Sequence, residues 1–161
     1  MGLLSDYRES VKGVYGIDET YLEGVPEISV DRAVKFAVIN TILPGTLALL
    51  LFPAFRQNTL TMLASYVTPV MWAVWNGLVA HGLIVLMGGE KFERTLNLYL
   101  VLTAFYLTLW IPVVNMFVLF YGMIATERGL EEVHDLDFYR SIAVTVLTPV
   151  LSVLLFAVLL V

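Results

Sequence analysis

The sequence contains no cysteine and only two histidines, His81 and His134. The first absence rules out disulfides and thiolate metal sites. Charge is also scarce, at 14% of residues against about a quarter in soluble domains. Several catalytic and binding signatures are missing. There is no His-Glu-x-x-His and no Gly-x-Ser-x-Gly, and "GLVAHG" carries Leu83 where a phosphate loop needs lysine. Nothing supplies a nucleophile–base pair, so no enzymatic activity is expected. A net charge of −5 argues against binding nucleic acid. No secretory signal is expected, because residues 1–32 are polar and acidic, with no basic stretch leading into a short apolar core.

What is present is apolar sequence, 59% of the chain. No charge occurs in 37–55, 57–89, 95–126 or 141–161. The last three runs each exceed the roughly 20 residues that span a bilayer core, and none shows a polar face. We therefore expect an all-α integral membrane protein. The first span reads as Ala33–Phe52, the second as Thr61–Met87 and the last as Ser141–Val161. The run Thr95–Thr126 is too long for one crossing. As a single helix it would reach about 48 Å, and Pro112 in "WIPVVN" would break it. It reads instead as two short helices, Leu96–Trp110 and Val113–Thr126, in a tight hairpin that crosses fully or only partly re-enters. Five segments result, divided as 1–32 (N-terminal segment) and 33–161 (membrane domain).

Orientation follows from the basic residues. With the N-terminus in the cytosol, Arg8, Lys12, Arg32, Lys35, Lys91, Arg94, Arg128 and Arg140 lie inside and only Arg56 outside, as the positive-inside rule requires. All 14 acidic residues share the inner side, and the C-terminus falls on the outer or lumenal side. Any charge-dependent function then faces the cytosol.

The spans carry small and polar stripes at helical spacing: Ala33, Ala37, Asn40, Thr41, Pro44 and Ala48; Ala73, Asn76, Gly77, Ala80 and His81; Ser141, Thr145, Thr148 and Ser152. Such residues let membrane helices approach and hydrogen-bond across the contact. The alternative is a substrate path lined by Asn40, Asn76 and His81 in a small oligomeric channel or transporter. No acid, lysine or arginine lies deep in a span, which disfavours an ion-coupled pump. A divalent metal on His81, Glu131 and His134 can be drawn, since Glu131 and His134 stand three apart on one helix face. No other cofactor is expected. Residues 3–15 form an amphipathic pattern suited to the membrane surface, with Leu3, Leu4, Tyr7, Val11 and Val14 on the apolar face. The acidic stretch 16–31 reads as a solvated linker or a docking strip for a basic partner.

Two connectors concentrate charge. "GGEKFER" (88–94) follows the second span, and "ERGLEEVHDLDFYR" (127–140) precedes the last. We expect them to close together as a cap, with Arg94 or Lys91 touching Glu127, Glu131, Glu132 or Asp135, and with His134 near a carboxylate. Gly88, Gly89, Glu93, Arg94, Glu131, His134 and Asp135 are its candidate residues.

The order of these features resembles the Yip domain, a family named for interaction with Ypt/Rab-type GTPases, from about Ile28 to the end. The resemblance is closest to short prokaryotic members, through Gly88, Gly89 and Phe92, then Ile111 and Pro112, then Gly129, Leu130 and His134. It implies five membrane segments, a cytosolic N-terminus and no catalysis. It further implies a scaffold or adaptor role in membrane organisation or trafficking-like processes, with lipids and cytosolic-face proteins as partners, a small GTPase among the candidates, and homo- or hetero-oligomers. The family's longer cytosolic N-terminal region is reduced here to about 32 residues.

Orientation is tested by labelling. A cysteine placed at Asn58 is expected to react with a membrane-impermeant reagent on intact cells, and one at Lys91 or Glu131 to react only after lysis. The opposite pattern would reverse the topology.

Overall fold

The computed structural model describes residues 3–16, 28–51, 58–89, 91–108 and 112–159. Among these residues there is no strand. The helices are α1 (Leu3–Gly16), α2 (Val30–Leu51), α3 (Thr59–Leu86), α4 (Phe92–Val101), α5 (Pro112–His134) and α6 (Phe138–Leu159). A 3-10 stretch, Leu102–Thr108, continues α4. Three helices, α2, α3 and α6, are long and apolar enough to cross a membrane. Their outward faces keep large apolar side chains exposed, such as Leu60, Leu86 and Val158, as suits a hydrocarbon surround.

Local signals set the ends. Asn58 caps α3, its side chain accepting from the Thr61 N–H at 2.9 Å. Asp137 starts α6 in the same way, accepting from the Arg140 N–H at 3.1 Å. Both oxygens satisfy amides that a helix start leaves open.

The small and polar stripes largely coincide with the buried faces, with Pro44, Ala48 and His81 half-buried. Ala33, Ala37, Asn40 and Thr41 of α2, Ala73, Asn76, Gly77 and Ala80 of α3, and Ser141, Thr145, Thr148 and Ser152 of α6 are all inside. Helix α3 packs against α2, α4 and α6. Side-chain bonds cross the interior. Asn40 Nδ2 donates to Thr103 Oγ1 at 3.1 Å, and Ser152 Oγ donates to Asn76 Oδ1 at 2.7 Å. Asn76 Nδ2 donates to the Trp72 carbonyl and Trp75 Nε1 to the Ser152 carbonyl. Asn40, Asn76 and His81 thus take part in three different helix contacts.

Among the described residues the two arms of the expected hairpin lie side by side, with a corrected boundary. The α4 arm and α5 pack antiparallel, Leu98 facing Gly129 and Phe105 facing Gly122. A Cβ on Gly129 would lie 2.5 Å from Leu98 Cδ1, so this glycine permits the close approach. Helix α5 does not stop at Thr126; it runs on to His134. Glu, Arg and Leu are strong helix formers, so charge marks a change of solvent there without ending the helix. Trp110 and Ile111 at the hairpin tip lie outside the described residues, as do Arg56, Glu90 and most of the acidic stretch 16–31.

Helix α1 forms where the amphipathic pattern places it, but its apolar face meets protein. Val14 is fully buried, and the Tyr7 ring lies 5.3 Å from that of Phe36. Tyr7 Oη donates to Asn40 Oδ1 at 2.9 Å. Asn40 therefore joins α1, α2 and the 3-10 stretch.

Helices α2 and α3 cross at Gly45, where a Cβ would come within 2.6 Å of the Tyr66 ring and 3.2 Å of the Ser65 carbonyl oxygen. Gly82, on the outer face of α3, has nothing within 4 Å. Gly45→Ala is expected to destabilise the protein in detergent by about 1–3 kcal/mol through overpacking. Gly82→Ala should be neutral or stabilise by up to about 1 kcal/mol. Equal responses in denaturant titrations would contradict this crossing.

Candidate functional site: the charged end

The charged end begins with two glycines that stop α3. The Gly89 N–H donates to the Ile84 carbonyl at 2.9 Å, and the Gly88 N–H to the Val85 carbonyl at 3.1 Å. These are the paired bonds of a Schellman motif, with Gly88 at φ 93° as the left-handed residue. A Cβ on Gly89 would overlap the Ile84 side chain. The first glycine is needed for its dihedral, the second for space.

This stop turns the chain directly into α4, whose first turns face both α3 and α5. There the two histidines meet on one hydroxyl. Thr95 Oγ1 lies 3.3 Å from His81 Nδ1 and 3.0 Å from His134 Nε2. A threonine hydroxyl has one proton and two lone pairs, so at most one imidazole can accept from it and the other must then donate to it. The group thereby couples the tautomers of two rings on separate helices. Phe92 packs edge-on against His81, with centroids 5.2 Å apart. Burial, then the neighbouring His81 and Arg94 charges, push His134 down to about 4 from its ordinary 6.5.

The expected ion pairs between the connectors are not formed among the described residues. Arg94 Nη1 donates instead to the Val133 carbonyl at 3.4 Å. The acids of α5 are engaged elsewhere: Glu131 pairs with Arg128 at 3.1 Å, and the Ser141 hydroxyl reaches Glu127 at 3.4 Å and Glu131 at 3.5 Å. Helical rotation explains the split. Positions 122, 126, 129 and 133 turn toward α4, whereas 127 and 131 turn toward α6. Burial and the neighbouring Glu131 raise the Glu127 carboxyl above its usual range, against the opposing pull of Arg128 and Ser141.

The connectors do come together, but through a hydroxyl and a carbonyl. His134 bonds Thr95 and not a carboxylate. The drawn metal set is not assembled either: His81 and His134 converge while Glu131 faces α6. Among the described residues no group of three His, Cys, Asp or Glu is placed to hold a metal. Asp135 takes φ 54° and ends α5, a left-handed position that aspartate tolerates better than most residues. Glu93, Glu132 and Asp135 are exposed, as is Lys91. Sequence reasoning missed Thr95, and it did not pair Ser141 with Glu127 and Glu131. A threonine beside a charged turn carries no signal of its own. Asp137, three residues before Arg140 and ahead of an apolar run, did carry a readable N-cap signal.

No family model, curated protein or solved structure matches the chain.

Because the folded His134 has a depressed pKa, the unfolded chain takes up a proton first as pH falls. The stability that neutral His134 contributes is complete above pH 6.5 and is lost between there and about 4. His134→Gln should flatten the loss of stability between pH 7 and about 5 relative to the parent protein. Glu127 titrates in both proteins and cancels in the comparison. A steeper decline in the variant would contradict a buried, neutral His134.

Proposed function

We propose that the chain is a non-catalytic membrane scaffold or adaptor of Yip type, acting through its charged end at the cytosolic face. The observation that carries this reading is the convergence of residues distant in sequence. Phe92 packs on His81, Gly129 admits Leu98, and His134 shares Thr95 with His81. These include residues on which the resemblance rests, and they meet where α3, α4 and α5 end. The two connectors therefore present one surface. Its exposed acids, Glu93, Glu132 and Asp135, stand against exposed Lys91 and the paired Arg128 and Arg140, which favours a partner with a basic surface. A small GTPase is one candidate by family analogy, and lipid headgroups are another contact of the same face.

In this reading five segments lie in the bilayer. The α4 arm contributes ten α-helical and seven 3-10 residues. Its first turn carries Glu93 and Arg94 of the charged end, so the uncharged part, residues 95–108, reaches about 25 Å against the roughly 30 Å hydrocarbon core. In this reading the hairpin enters the bilayer and crosses most of it, and the charged part of α5 beyond Thr126 projects into water.

Affinity purification from native membranes tests the proposal. A defined protein set should co-elute with the parent chain, and Glu93→Lys/Glu132→Lys should reduce its recovery by about tenfold or more. Arg94→Ala should keep the helical content and alter this recovery, since half-buried Arg94 is tied to α5 only by a long bond to the Val133 carbonyl. Undiminished recovery with the double variant, or solute flux through reconstituted protein, would refute the adaptor reading.

A further inference from the structure

A cavity of about 210 Å³ opens between α5 and α6. Its walls come from α3, the α4 arm with its 3-10 continuation, α5 and α6, and are largely apolar and aromatic. Residues that both line it and lie exposed mark its mouth: Leu119 and Met123 on α5, Pro149 on α6. The cavity therefore opens sideways, through helix faces covered with apolar side chains.

One wall is polar and unsatisfied. Thr145 and Thr148 line the cavity at 6% and 1% exposure, and neither hydroxyl has a hydrogen-bond partner. Thr148 Oγ1 stands near the Tyr99 phenol, outside hydrogen-bonding geometry. Other hydroxyls in the bundle satisfy themselves on their own helix: Thr46 on the Ile42 carbonyl, Thr126 on the Gly122 carbonyl and Ser141 on the Phe138 carbonyl. Pro149 adds a third group. It has no N–H, so the Thr145 carbonyl four residues earlier loses its helical donor. Two unsatisfied hydroxyls then share one apolar chamber, with the carbonyl freed by Pro149 on the same helical turn.

We propose that this cavity is a binding site for a neutral, hydroxyl-bearing lipid of the acylglycerol or long-chain alcohol type. Its hydroxyl bonds Thr145 and Thr148, and its chain runs past Phe105 and Leu119 toward the mouth. The inference rests on membrane embedding alone and is independent of the adaptor reading. Depth selects the headgroup. Thr145 lies seven residues into α6, about 10 Å from its start. A phosphate drawn to that depth would lose its hydration, whereas a hydroxyl can be satisfied by the two threonine hydroxyls. Water is a poorer occupant, because most of the chamber offers it no partner.

Photolabelling in phosphatidylcholine vesicles tests this. A diacylglycerol probe with a diazirine in its acyl chain should label the α5 and α6 segments around Leu119–Met123 and Thr145–Pro149, and unlabelled diacylglycerol should compete. A phosphatidylcholine probe with the same chain should label them no more than the outward face of α6. Thr145→Val/Thr148→Val, nearly isosteric, should lower the specific labelling by about fivefold or more. Gly122→Leu should block it by filling the space, since a Cβ there has room 3.6 Å from the Phe105 ring. Equal labelling by the two probes, absence of competition, or labelling unchanged in both variants with native circular dichroism and elution would overturn the proposal.

Discussion

Hydrocarbon offers no hydrogen bonds, so each polar side chain inside this bundle must find its partner in the protein. That constraint organises the interior. Asn40 answers it by joining α1, α2 and the 3-10 stretch. Asn76 answers it by joining α3 to Ser152 of α6. Such bonds contribute only about 0.6 kcal/mol each on average, so close packing of the small residues supplies much of the cohesion. Their value is in register, because a helix rotated by one residue leaves its asparagine without a partner. Among the described residues three buried side-chain atoms are exceptions, Asn97 Oδ1 and the Thr145 and Thr148 hydroxyls, and the two threonines share one cavity.

The charged end obeys a different balance. Exposed ion pairs are weak in water, and the connectors are not joined by any among the described residues. They are joined where burial makes a hydrogen bond count, at Thr95 between two imidazoles and at the Val133 carbonyl beneath Arg94. The ion pairs that do form are local, Arg128 with Glu131 and Arg140 with Asp137, each three residues apart. Other acids and Lys91 stay at the surface, so organisation of the end and its availability to a partner reside in different residues.

Much of the architecture was legible. Composition and uncharged runs marked the apolar helices, and helical spacing picked out the stripes that prove to be buried. Gly88–Gly89 and Pro112 announced the breaks, through a positive φ and a missing N–H. Less legible was where helices end once charge appears. Helix α5 passes Thr126 without interruption, because charge reports the change of solvent and its residue types still favour a helix. The amphipathic pattern of α1 was equally ambiguous, since an apolar face suits lipid and protein alike. Only the position of Tyr7 against Phe36 and Asn40 separates the two.

By itself, then, the sequence determined an all-helical, apolar chain, its buried stripes, its helix breaks and the clustering of charge into two connectors. These properties depend on spacing along one segment, which local chemistry can read. The tertiary structure decided which polar groups meet. His81 and His134 share Thr95 because α3, α4 and α5 converge, and Glu131 turns away to α6 because a helix advances 100° per residue. It also decided that two threonine hydroxyls would line a cavity unsatisfied, an outcome set by the gap between helices and by no pattern within one.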